Sequence, residues 1–129
     1  MKRVYYVKKV AGVPSPVAHY CTAAKVLHPA EWVFPSGILP LGEKGQLARG
    51  IEAQTKQALE NMEKILRDVG FRLEDIVKVN VMLKSMGDFQ KFNQIYTEFM
   101  GDVCPARAAY GQAEIALGAL VEIEVIAAN

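Results

Sequence analysis

The chain has little of what several large protein classes require. Its 129 residues include only two cysteines, Cys21 and Cys104, far apart in sequence. A disulfide framework or a cysteine-rich zinc site needs more sulfur at closer spacing. The two histidines, His19 and His28, have no histidine or carboxylate at metal-ligand spacing, which speaks against a metal site. No stretch approaches the roughly 20 apolar residues of a membrane span. The N-terminal "MKRVYYVKKVAG" carries positive charge but not the apolar run of a signal peptide. Fifteen Lys and Arg against fourteen Asp and Glu leave a net charge of +1, with no block of one sign. Broad electrostatic capture of nucleic acid or of an anionic membrane is therefore not favoured. Glycine-rich phosphate loops and metalloprotease motifs are missing too. The expectation is a soluble protein of a reducing, cytoplasmic setting.

What is present suits a folded chain. Hydrophobic residues make up 51% and charged residues 22%, a balance that builds a core and argues against disorder. The length predicts one domain over residues 1–129. "VPSPVAHYCTAAKVL" begins as a proline-punctuated loop and then reads as a strand. "EWVFPSGILPL" reads as a second strand, interrupted by Pro35 and Gly37, where a bulge or a ligand's approach to the backbone is expected.

Residues 51–69 carry the clearest helical period. Ile51, Thr55, Ala58, Leu59, Met62, Leu66 and Val69 form one stripe, and Gly70 is placed to stop the helix. Glu52–Lys56, Glu60–Lys64 and Glu63–Arg67 are i,i+4 pairs on the outer face. "IVKVNVMLK" alternates, with Val77, Val79, Val81 and Leu83 on one side. Residues 88–100 predict a second helix with Phe89, Phe92, Tyr96 and Phe99 inward, and Ser85 as its cap. "ARAAYGQAE" and "LVEIEVIAA" are the last two strands. The order β-β-α-β-α-β-β predicts an α+β layer fold, one sheet with both helices on one face.

Two features carry chemistry. Arg107 stands in "CPARAAY" among Ala106, Ala108 and Ala109. A planar guanidinium takes a carboxylate through two parallel hydrogen bonds, and small neighbours leave room for one. In "LVEIEVIAA", Glu122 and Glu124 share a row with Leu120 and Ile126 that is otherwise fit for burial, and a buried carboxylate needs a partner. Three readings stay open, one of them that Glu122 and Glu124 simply lie at a subunit contact. Arg107 and Glu122 pair with each other on neighbouring strands, or Arg107 is kept for a carboxylate from outside while Glu122 holds a water. Ser36 and Gly37 supply a hydroxyl and a backbone N–H at the interrupted strand, against ordinary turn chemistry. Asn93 lies at the edge of the second helix's stripe, where solvent contact is the plain reading. Tyr20 reads first as a core residue, and Cys104 has no histidine near it in sequence to activate it.

"PSGILPL", "EAQTKQALENMEKIL", "DIVKVNVML", "DFQKFNQIYTEFM", "CPARAAY" and "GALVEIEVIA" together resemble the Rid, or YjgF-type, family over about residues 16 to 128. Its members also carry the labels endoribonuclease L-PSP and translation initiation inhibitor. The resemblance implies a chorismate-mutase-like mixed sheet with two helices on one face. It also implies a homotrimer with a cleft between each pair of subunits, and no metal or organic cofactor. The implied activity is hydrolysis of 2-imino acids or their enamines, such as 2-iminopropanoate and 2-iminobutanoate, to 2-keto acids and ammonia. By the same resemblance Arg107 binds the substrate carboxylate and Glu122 positions or activates water. Tyr20, Ser36, Gly37, Asn93 and Ala109 line the cleft. Ala18 and His19 stand where the family has Gly-Pro, Ile38 where it has glutamine, and Ala109 where it often has cysteine; these are expected to alter the pocket wall. The rival readings are a non-catalytic metabolite-binding trimer and an endoribonuclease. For the nuclease the sequence offers no histidine pair and no basic-aromatic surface.

Overall fold

The strongest period in the sequence becomes helix α1, Gly50–Asp68, in a computed structural model that describes residues 2–129. Ile51, Thr55, Ala58, Leu59, Met62 and Leu66 are buried along one stripe. Each large side chain among them contributes about 1.5–3 kcal/mol by leaving water. Gly70 adopts φ +86° and ends the helix. Its N–H bonds to Arg67 O at 3.1 Å, and Phe71 N–H reaches back to Leu66 O at 2.8 Å. These two bonds satisfy carbonyls that the helix end leaves open. Val69, expected inward, is 49% exposed, because it sits in the terminal turn where the stripe has already run out. Of the three expected charge pairs only Glu63–Arg67 closes, at 3.6 Å. Gln54 is buried instead: it donates to Ala48 O and accepts from Leu120 N–H.

Helix α2, Phe89–Met100, buries Phe92, Tyr96 and Met100. Ser85 does cap its approach, but one step earlier than expected. Its hydroxyl accepts from Gly87 N–H at the start of a short 3-10 turn, Met86–Asp88, that runs into the helix.

The strands are β1 (Val4–Val7), β2 (Ala23–Val26), β3 (Trp32–Val33), β4 (Ile76–Leu83), β5 (Ala106–Tyr110) and β6 (Val121–Ala128). The α+β class holds, with two helices packed on a mixed sheet, and the order gains a strand at its start. The main sheet runs β3-β6-β4-β5, while β1 and β2 form an antiparallel ladder of their own. β4, α2 and β5 make a strand–helix–strand unit, so β4 and β5 pair in parallel. That leaves the other edge of β4 to β6, antiparallel. Val79, Val81 and Leu83 meet Val125, Ile123 and Val121 on the helix side and form the core. An irregularity between Ile76 and Lys78 turns Ile76 inward in place of Val77. The second expected strand shortens to two residues, after which only Ile38 rejoins the sheet, bridging Ile123.

Candidate functional site

β4 lies between β5 and β6, so Arg107 and Glu122 are not on neighbouring strands and do not pair with each other. The register also puts them on opposite faces. Arg107 is opposite Val79, whose other partner is the core residue Val125. It therefore points to the helices. Glu122 is opposite Met82, on the face away from the helices. The ion-pair reading of these two residues within one chain is excluded by this topology.

Arg107 is half-buried in an aromatic cage. Its guanidinium carbon lies 4.8 Å from the centre of the Tyr96 ring, 5.5 Å from Phe89, 5.7 Å from Tyr20 and 5.9 Å from Phe92. Ring faces attract a cation without neutralising it. One hydrogen bond fixes the group, Nη1–H to Asn93 Oδ1 at 2.9 Å. Among the described residues no carboxylate lies within ion-pair distance of it. Burial lowers the guanidinium's pKa, partly offset by Tyr96, so the charge is under-solvated and attracts an anion. Asn93, read from sequence as a solvent contact, is an orienting residue for Arg107. Tyr20, read first as core, is half-buried and faces the cation. Ala109 shares Arg107's face, opposite Val81, and leaves that wall small.

The other group forms around β6. Glu122 is half-buried, and its carboxylate fills the place a side chain would take at Gly37; a Cβ there would overlap Glu122 Oε2. Gly37 is thus a residue whose bareness makes room for the carboxylate. Ser36, exposed, adjoins it. Asn61 on α1 holds the chain just beyond, donating to Leu39 O at 3.2 Å and Leu41 O at 2.8 Å. The sequence reading missed Asn61, whose place among the charges of the outer face hid it. Glu124 is exposed and accepts from Asn80 at 3.1 Å across the strands. Ile38 is 4% exposed and joins the core through its bridge to Ile123, and it also lines a shallow pocket with Gly37, Leu39 and Asn61.

The candidate residues therefore fall into two groups. Tyr20, Asn93, Arg107 and Ala109 gather on the helix side, at the edge strand. Ser36, Gly37 and Glu122 gather on the other face. His19 stands beside the first group, edge-on to Tyr96 at 5.8 Å and bonded through Nε2 to Val103 O at 2.9 Å. Among the described residues no set of three metal-ligating side chains gathers, and no helix is long and apolar enough to cross a membrane.

Comparison with known proteins agrees over nearly the whole chain. The family model for endoribonuclease L-PSP matches residues 11–129. A RutC family protein of Pyrococcus horikoshii is 38% identical over 129 residues, covering 98% of each chain. The chloroplastic Reactive Intermediate Deaminase A of Arabidopsis thaliana is 40% identical over 97 residues, 74% of this chain and 52% of that one. The crystal structure of RidA from an Antarctic Psychrobacter superposes with a TM-score of 0.74 at 33% identity, covering 97% of this chain and all of the other.

Proposed function

The chain belongs to the Rid family, whose model carries the description endoribonuclease L-PSP, and on that premise we propose that it hydrolyses reactive 2-imino acids, or their enamine tautomers, to 2-keto acids and ammonia. The observation that carries this reading is the caged Arg107, a half-buried cation with one neutral hydrogen-bond partner. A receptor of this kind suits a small carboxylate bearing an apolar group. The relative named Reactive Intermediate Deaminase A adds the reaction class.

In the proposed mechanism Arg107 takes the carboxylate in two parallel hydrogen bonds. That fixes the imine carbon beside a water held by Glu122 with Ser36 and the Gly37 N–H. The water adds to the C=N bond, giving a carbinolamine, and Glu122 takes the water's proton. The proton passes to nitrogen, the C–N bond breaks, and ammonia leaves the keto acid. Water alone attacks such imines, so positioning plus one proton-transfer group, about 10²–10⁴-fold for the latter, is sufficient. Because Arg107 and Glu122 face opposite sides of one sheet, the complete cleft takes Arg107 from one chain and Glu122 from the next, as in a cyclic homotrimer.

The test is to generate 2-iminopropanoate or 2-iminobutanoate with a coupled amine-releasing enzyme and follow its clearance. Arg107→Ala and Glu122→Ala should each lose at least about 100-fold. Clearance by Arg107→Ala at the wild-type rate overturns the assignment. Tight 2-keto acid binding with no acceleration would make the protein a metabolite-binding oligomer instead.

A further inference from the structure

Two nucleophilic side chains with no part in that chemistry lie together behind the Arg107 cage. Cys21 directly follows Tyr20, and Cys104 begins the run that leads to Arg107. The Cys21 N–H donates to Pro105 O at 3.3 Å, which sets the two segments side by side. Chains joined in this way run about 5 Å apart, and a disulfide spans Cα atoms about 4.4–6.8 Å apart. Both thiols are free and buried, at 2% and 6% exposure. Cys104 lines a cavity of about 470 Å³ with Lys8, Lys9, His19 and Tyr20, and Cys21 does not, so a small oxidant approaches the pair from the Cys104 side. Cys21 donates its thiol proton to Ala23 O at 3.1 Å. Burial pushes that thiol's pKa up and the nearby Cys104 adds to the rise.

We propose that Cys21 and Cys104 form an oxidation site, a thiol pair that a small peroxide converts to an internal disulfide tying the Tyr20 segment to the Arg107 strand. The Cys104 thiolate attacks one peroxide oxygen and the O–O bond breaks, leaving a sulfenic acid and water once protons are counted. The Cys21 sulfur then attacks the sulfenic sulfur, the S–O bond breaks, and a second water leaves with the Cys21 proton. Two thiols and one hydrogen peroxide become one disulfide and two waters; sulfur is oxidised and peroxide oxygen reduced. Thiol reductants reverse it.

The inference is independent of the deaminase reading, because its readout is mass and thiol count. Purified full-length protein is treated with hydrogen peroxide, unfolded, alkylated and weighed intact. The single chain should lose about 2 Da and take up no alkylating agent, with both effects reversed by dithiothreitol. The link closes most of the chain into a loop, so the thermal midpoint should rise by about 10 °C. Cys104→Ser should show neither the loss nor the rise. Two thiols that still alkylate after peroxide, disulfides only between chains, or a gain of oxygen mass alone would overturn the proposal; these results come from the wild-type protein and do not depend on how a variant folds.

Discussion

Equal amounts of Arg107→Ala and Glu122→Ala chains, unfolded and refolded together, should regain activity that neither has alone. β5 and β6 flank β4, about 10 Å apart across it, and Arg107 and Glu122 lie opposite Val79 and Met82, so the offset along β4 brings their backbones to about 14 Å apart. Their side chains leave opposite faces of the sheet. One chain therefore cannot bring them to one small substrate, whereas a ring of chains can. A cleft in the mixture works when its arginine comes from a Glu122→Ala chain and its glutamate from an Arg107→Ala chain. Each condition is met half the time, so about one quarter of wild-type clefts return, whatever the ring size. Clearance of 2-iminopropanoate is the assay, with native mass spectrometry to establish that mixed oligomers formed. Mixed oligomers without activity, while wild type treated alike is active, would refute the two-chain cleft.

Three further outcomes follow from particular contacts. Asn93→Asp places a carboxylate against the guanidinium, 2.9 Å away in the present geometry; it should compete with the guest and raise KM about tenfold or more, with thermal stability unchanged or higher. Gly37→Ala should displace the Glu122 carboxylate, since the new Cβ would overlap Oε2 and lie 3.1 Å from Cδ. A flexible side-chain end absorbs that clash, so unfolding should change by less than about 1 kcal/mol, while kcat falls about 100-fold and 2-keto acid binding persists. Gln54→Leu leaves the Leu120 N–H and the Ala48 carbonyl without partners and should cost about 2–4 kcal/mol in urea unfolding.

Local signals made most of the fold legible. The stripe of α1, the Gly70 stop, the aromatic face of α2 and the alternation of β6 are properties of a few adjacent residues, and the structure shows each of them. Pairing between distant segments was not legible. β1, "VYYV", sits among lysines and becomes a strand only through its ladder with β2. The shift between Ile76 and Lys78 breaks a clean alternation that the sequence displays without interruption. For the candidate site, the residue types were readable and their mutual geometry was not. Nothing local says that β4 separates β5 from β6, so sequence proximity suggested an Arg107–Glu122 pair. Asn93 showed the same limit: its backbone position was clear, but its partner lies on a strand fixed by tertiary packing.

The most direct measurement is calorimetric titration of a small 2-keto acid such as pyruvate into wild type, Arg107→Ala and Glu122→Ala. Binding should stay within about threefold of wild type in Glu122→Ala and weaken at least about tenfold in Arg107→Ala. Equal affinity of Arg107→Ala and wild type would mean that the caged cation holds no guest acid, and the account of the cleft would be wrong.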